Sequence, residues 1–129
     1  MHEVGNVYKM KGREDGKHFH IIIIGNKQVH PTVCIAVYLT STEMFVDHTC
    51  EFTDGEDDFI SEDCWVKYKN ARILPTMDLD KTDYVGVAKP GTMRRIIDGF
   101  EESITGKRIQ KEVVDLYRQW KQDNLFDNL

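Results

Sequence analysis

His18-Phe19-His20-Ile21-Ile22-Ile23-Ile24, followed by Gly25-Asn26-Lys27, is the stretch that decides the fold. Isoleucine is β-branched and stiff at χ1, which favours a packed, pleated strand. A strand with one face in water alternates polar and apolar residues, whereas Ile21 to Ile24 do not, so we expect both faces of this strand to be covered. Since side chains alternate along a strand, the two histidines share one face and Phe19 lies on the other.

A second strand is predicted from Thr32 to Thr40, and it ends in the hydroxyl residues Thr40-Ser41-Thr42. Further short strands surround this pair. They are predicted over Val4–Lys11, Met44–Phe52, Phe59–Ile60, Cys64–Tyr68, Ala71–Leu74 and Tyr84–Ala88. Many short strands without a helical period indicate a small barrel or a sandwich.

The hydrophobic period changes after Pro90. Thr92 is a plausible N-cap, and an apolar stripe with helical spacing follows it. The segment from Ser103 to Gly106 interrupts this helix, and a second amphipathic helix follows. The stripes of the two helices consist of Met93, Ile96, Ile97 and Phe100, and of Ile109, Val113, Leu116, Tyr117 and Trp120. The sequence thus predicts one mainly β domain over residues 1–129, with the barrel in 1–89 and a helical extension in 90–124.

Length and composition place the chain among single-domain proteins, at 129 residues with 40% hydrophobic and 30% charged residues. No apolar run approaches the roughly 20 residues of a membrane span. The first residues show no secretory signal. The three cysteines are odd in number and lack CxxC spacing, which favours free thiols in a reducing compartment. We therefore expect a cytoplasmic protein without a membrane partner.

Charge is distributed unevenly along the chain, whose net charge is −5. Residues 43–63 carry nine acidic side chains and no Lys or Arg, so the rest of the chain is net positive. The basic residues gather around positions 9–17, 67–72 and 94–111. Two interpretations stand: a polyanion binds one face while the acidic segment points away, or the whole is a solvated mixed surface.

The order and character of these elements resemble the PemK/MazF-like toxin family over most of residues 4–103. The matching features are a strand with Gly5-Asn6-Val7-Tyr8, a loop ending in Gly16-Lys17, an aliphatic strand ending in Gly25-Asn26, a strand ending in Leu39-Thr40-Ser41, and Cys64-Trp65-Val66-Lys67-Tyr68. The resemblance implies an SH3-like barrel, often dimeric. It also implies a metal-independent endoribonuclease that cleaves single-stranded RNA under the control of an antitoxin.

The chain departs from that family in the motif at the start of the second strand. Typical members continue the Gly-Lys of the loop with Arg-Pro, and the Arg is catalytic, whereas here His18-Phe19 follow Gly16-Lys17. The resemblance maps the family's catalytic Thr or Ser onto Thr40 or Ser41.

RNA cleavage by an adjacent 2′-hydroxyl needs proton transfer and positive charge. Histidine serves both proton roles because its pKa lies near 6.5. We therefore predict His18, His20 and Thr40 as catalytic residues, without a cofactor or metal. The residues predicted to hold RNA are Arg13, Lys17, Lys67 and Lys69.

Other interpretations of these residues stay open. His18 and His20 could be a hydrogen-bonded pair without a catalytic role. They could also share a metal ion with a third ligand such as His48, Cys50 or a carboxylate. Trp65 and Tyr68 could pack in a core or dimer interface rather than stack on bases.

Two functions follow. The first is a toxin-like endoribonuclease with single-stranded RNA, an antitoxin protein and a second copy of the chain as partners. The second is a catalytically divergent barrel that binds protein or nucleic acid, with the acidic segment 43–63 as its interaction surface. Fold alone does not decide between them.

Overall fold

The computed structural model describes residues 3–11, 16–25 and 32–127, with side chains described as far as Gln122. Its strands are β1 (Asn6–Lys11), β2 (Lys17–Ile24), β3 (Val33–Thr40), β4 (Glu51–Phe52), β5 (Cys64–Val66), β6 (Arg72–Pro75) and β7 (Asp83–Val87). Its helices are α1 (Thr76–Leu79), α2 (Pro90–Thr105) and α3 (Lys111–Asp127), with a 3₁₀ turn at Tyr68–Asn70. The predicted phosphate-binding residue Arg13 lies outside the described residues.

The strands form one antiparallel sheet of seven strands in the order β4-β5-β3-β2-β1-β7, with β6 also paired to β3. Strand β3 is central because it pairs with β2 on one side, and with β6 and then β5 on the other. Within the described ranges no pairing joins the edge strands β4 and β7. The predicted order, strands followed by two C-terminal helices, is confirmed, but the barrel predicted over 1–89 is wrong, because the described strands form an open sheet.

Both faces of β2 are covered, as the isoleucine run predicts. Ile21 and Ile23 pack in the larger core with Ile96, Phe100 and Val113 of the two C-terminal helices. The opposite face holds a smaller core, which consists of Tyr8, Ile22, Cys34, Ala36, Leu74 and Leu79. The histidine end of β2 lies next to this smaller core, on the face that the long helices leave open.

The segment before β4 differs from the prediction. The strand expected over Met44–Phe52 is wrong except for Glu51–Phe52. The Asp47 carboxylate accepts hydrogen bonds from the backbone N–H of Thr49, at 2.9 Å, and from its hydroxyl, at 2.5 Å. Such local bonds offer the backbone an alternative to a sheet ladder. The strand predicted at Phe59–Ile60 is also wrong, because these residues end a turn.

Helix α2 begins at Pro90 and ends at Thr105, within the predicted interruption, with Gly106 as its C-cap. Proline suits a first helical position because its missing N–H has no partner there. Thr92 lies inside the helix, and its hydroxyl donates to the buried carboxylate of Asp57 at 2.7 Å. Asp57 also accepts the N–H of Lys89, so a side chain from the acidic segment caps this helix.

Cations near the two long helices engage several of the acidic residues. Glu56 pairs with Arg95 at 3.0 Å, Asp47 with Arg108 at 3.3 Å and Asp58 with Lys89 at 3.6 Å. The acidic segment is therefore partly neutralised within the chain. Among the described helices, none is long and apolar enough to cross a membrane.

Candidate active site and nucleic-acid interface

The two predicted histidines share one face of β2, and the rings of both contact the same tyrosine of β3. The rings of His18 and His20 have their centroids 5.2 and 5.3 Å from that of Tyr38. His20 stands directly opposite Tyr38 in the β2–β3 register, which explains the stacked geometry of that pair. Phe19 points the other way and packs against Phe59, with the ring centroids 5.5 Å apart. The predicted division of faces is confirmed.

The hydrogen bonds of His20 define its tautomer. Its Nδ1 lies 3.0 Å from the carbonyl oxygen of His18. Since a carbonyl only accepts, Nδ1 carries the hydrogen and Nε2 has a lone pair. That lone pair faces Nη2 of Arg72 at 3.2 Å, and a guanidinium only donates. Both nitrogens of His20 are therefore used within the protein.

Burial holds His20 in this neutral form. The side chain is 1% exposed, and the cost of burying its charge lowers its pKa to about 4. This pKa also includes an increase from the bond to the His18 carbonyl and smaller decreases from Arg72 and His18. At neutral pH His20 orients Arg72, and His20 is therefore a positioning residue in this geometry.

Arg72 is the residue that sequence reasoning left out of the site. It comes from β6, where it pairs across the sheet with Ala36 of β3. Its Nη2 also donates to the carbonyl of Lys11 at 3.2 Å. The loop before β2 lacks the family's arginine, and Arg72 brings a guanidinium to the histidine face from another strand. Its place in the basic group 67–72 was the available signal, but only the β3–β6 register reveals the contact.

His18 differs from His20 in its free bonding capacity. Its ring is half-buried, and its Nε2 is shielded from solvent with no hydrogen-bond partner among the described residues. A polar atom left in this state calls for an explanation, and a role toward a ligand is one. Tyr38 beside it has its hydroxyl engaged by the side-chain N–H of Asn70.

The other predicted residues are not gathered around the histidines. Thr40 is buried, and its hydroxyl oxygen accepts the N–H of Thr42 at 3.3 Å. Lys17 alternates with His18 along β2 and therefore lies on the other face, where its ammonium pairs with Asp83 at 3.7 Å. The structure thus brings His18, His20 and Arg72 together with Tyr38, and separates Lys17 from them.

Lys67 and Lys69 line a separate cleft of about 450 Å³. Phe45, His48, Trp65 and Arg108 also line it. The cleft is linked to the histidine face through Tyr38, because the N–H of Lys67 donates to the Tyr38 carbonyl at 3.0 Å. We call this group of residues the aromatic–basic cleft.

Other chemistries find less support. Among the described residues, no group of three His, Cys, Asp or Glu side chains is placed to hold a metal ion. Burial, and after it the charge of the nearby Glu62, raises the pKa of the Cys64 thiol to about 12. Since the thiolate is the reactive form, Cys64 is a poor nucleophile.

Comparison with protein-family models, with curated proteins and with solved structures gives no match for this chain. The resemblance to PemK/MazF-like toxins stays a prediction. The chemistry of the site follows from the residues described above.

Proposed function

We propose that the protein is a metal-independent endoribonuclease of single-stranded RNA, with the reacting phosphate placed against His18 and Arg72. The observation that supports it is the contrast between the two imidazoles. His20 is neutral, fully hydrogen-bonded and directed at Arg72, whereas Nε2 of His18 has no hydrogen-bond partner among the described residues. One ring thus holds a positive charge in place, and the other has the capacity to exchange a proton.

In the proposed reaction, Nε2 of His18 takes the proton of the 2′-hydroxyl. The 2′-oxygen then forms a bond to phosphorus as the bond to the 5′-oxygen breaks. The guanidinium of Arg72 stabilises the charge that develops on the phosphate oxygens. The imidazolium of His18 returns the proton to the 5′-oxygen, which leaves a 2′,3′-cyclic phosphate and a 5′-hydroxyl.

Lys67 and Lys69 supply the attraction for the strand outside the reacting phosphate. Lys67 is half-buried and directly precedes the 3₁₀ turn, whereas Lys69 is exposed and lies within it. Asn70 of the same turn bonds to Tyr38. Contacts of ammonium groups with phosphates release counterions, so binding should weaken steeply as salt is added. An antitoxin partner and a homodimer, both implied by the family resemblance, remain part of this proposal.

The test is incubation of the purified protein with a long unstructured RNA in EDTA. We expect cleavage products with 2′,3′-cyclic phosphate ends. A matched oligonucleotide with one ribonucleotide in a DNA strand should be cut only after that ribonucleotide. Cleavage of the all-DNA strand, or products with other ends, would contradict the mechanism.

One observation favours a second function, which is binding of RNA without cleavage. Nε2 of His18 is shielded from solvent, so a substrate has to uncover it before proton transfer. A protein that retains RNA but leaves it intact, in EDTA and equally with added divalent cations, would support this alternative. The acidic segment is a weaker candidate surface for it, because Asp47, Glu56 and Asp58 already pair with cations of the chain.

A further inference from the structure

The aromatic–basic cleft has features that the proposed cleavage reaction does not use. Its volume of about 450 Å³ lies in the range of roughly 300–1,000 Å³ that small-ligand sites occupy. It is lined by the 3₁₀ turn, by β5 and by the segment before β4. A ligand in it would therefore contact a rigid strand on one side and a loop on the other.

Phe45 is the most unusual residue of the cleft. Its side chain is 86% exposed, the highest fraction among the large hydrophobic residues whose side chains the structure describes. Its backbone φ is +54°, in the left-handed region that bulky residues rarely adopt. An aromatic ring in solvent on a strained backbone gains little from packing. Strain of this kind clusters at ligand clamps and active sites.

Trp65 of β5 also lines the cleft. It is buried, and its indole N–H donates to the carbonyl of Thr42 at 2.8 Å. This bond links β5 to the segment that carries Phe45, so the two aromatic residues are held on linked pieces of backbone. The exposed ring of Phe45 is a surface on which a planar ligand ring can stack.

The charges of the cleft select an anion. Lys67, Lys69 and Arg108 line it, together with His48, whose Nδ1 lies 2.8 Å from Oε1 of Glu51. The Asp47 carboxylate offsets Arg108, with which it pairs at 3.3 Å. Lys67 is half-buried and Lys69 is exposed, and ammonium groups are ordinary phosphate ligands.

We propose that the aromatic–basic cleft binds one nucleotide unit, with its base on Phe45 and its phosphate at Lys67 and Lys69. A free nucleoside monophosphate and one residue of an RNA strand share this chemistry. The strand version rests on the proposed function, since it makes the cleft a site that holds one unpaired base beside the cleavage site.

The experiment uses the full chain with Trp120→Phe, which leaves Trp65 as the sole tryptophan, since the chain has two. Its fluorescence is titrated with 5′-AMP, adenosine and a short unstructured RNA that carries 2′-O-methyl groups to block cleavage. We expect saturable quenching by the nucleotide and the RNA. Lys67→Ala with Lys69→Ala should weaken binding of 5′-AMP and lower its salt dependence, while adenosine binding stays the same.

Phe45→Gly is the decisive variant. Glycine accepts a positive φ without strain, so the melting temperature should stay the same or rise. Affinity for the nucleotide should fall about 5- to 150-fold, the equivalent of one base–aromatic stack. Met44→Ala is the matched control, because Met44 is 68% exposed and does not line the cleft. The affinity of this variant for the nucleotide should stay within about twofold of the wild-type value.

The outcomes separate this proposal from the proposed function. If neither 5′-AMP nor RNA quenches Trp65, or if Phe45→Gly binds like Met44→Ala, the cleft is not a nucleotide site, whatever the nuclease assay gives. If binding depends on Phe45 but RNA is never cut, the nucleotide site stands and the nuclease function falls.

Discussion

Nη2 of Arg72 lies 3.2 Å from Nε2 of His20, across 52 positions of the chain. Only a neutral imidazole accepts that bond, because a protonated His20 would set two donors and two positive charges against each other. The pair therefore links the folded state to the protonation of one histidine. It also fixes the position of the guanidinium that the proposed cleavage needs.

The first prediction is that stability falls in acid because of His20. The pKa of His20 is about 4 in the folded chain and near 6.5 when unfolded. Between these values the unfolded chain binds more protons, so the free energy of unfolding rises with pH. The contribution of neutral His20 to the free energy of unfolding is complete above pH 6.5 and is lost as the pH falls toward 4. It amounts to about 3 kcal/mol.

Urea unfolding at pH 7 and pH 4.5 measures this loss. His20→Gln provides the comparison, since its amide oxygen still accepts from Arg72 but does not titrate. We expect the variant to lose less stability than the wild type between the two pH values. Equal losses would show that His20 does not titrate as described.

The second prediction concerns the cap that Asp57 provides for α2. Its buried carboxylate accepts the N–H of Lys89 at 2.9 Å and the hydroxyl of Thr92 at 2.7 Å. Asp57→Ala removes the oxygen that accepts both of these bonds at a helix N-terminus. We expect a loss of about 1–3 kcal/mol of unfolding free energy, measured by denaturant titration.

Asp58→Ala is the matched control for that variant. Asp58 is the next residue and carries the same charge, but its side chain is almost fully exposed. Its removal should leave the denaturation midpoint where it is. If the two alanine variants lose the same stability, net charge rather than capping explains the effect.

The third prediction is that Gly99 cannot be replaced by alanine without cost. Tyr68 donates from its hydroxyl to the carbonyl of Ile96 at 2.8 Å, and this places its ring against Gly99. A Cβ added at Gly99 would overlap the tyrosine hydroxyl and lie 2.8 Å from Cζ of that ring. Alanine normally favours a helix by about 1 kcal/mol over glycine. Here we expect Gly99→Ala to lose about 1–3 kcal/mol from overpacking.

A double-mutant cycle with Tyr68→Phe isolates the clash. Removing the hydroxyl frees the space nearest to the new methyl group, so Gly99→Ala should cost less in the Tyr68→Phe background than in the wild type. Equal costs in both backgrounds would assign the loss to something other than the tyrosine hydroxyl.

Local patterns predicted the elements that carry strong periodicity. The isoleucine run gave a strand buried on both faces, and the stripe through Ile96 and Phe100 gave a helix packed on it, because burial and period act within a few residues. The region 44–50 misled the same reasoning. Its apolar residues suggest a strand, whereas the hydrogen bonds from Thr49 to the Asp47 carboxylate stabilise a turn.

The site was predictable only in part for a related reason. Alternation places His18 and His20 on one face from sequence alone. The bond of His20 to Arg72 depends on how β6 pairs with β3, which no local pattern encodes. Lys17 was assigned to the site by its nearness in sequence, and the same alternation rule puts it on the opposite face from His18.

The central claim is that His18 performs proton transfer on RNA. The most direct test compares cleavage of unstructured RNA in EDTA by the wild type, by His18→Ala and by Lys81→Ala, an exposed basic residue outside the site. We expect His18→Ala to keep its melting temperature and to cleave at least about 100-fold more slowly, the usual scale of general acid–base catalysis. Lys81→Ala should cleave at the wild-type rate. Wild-type cleavage by folded His18→Ala, or intact RNA with all three proteins, would contradict the claim.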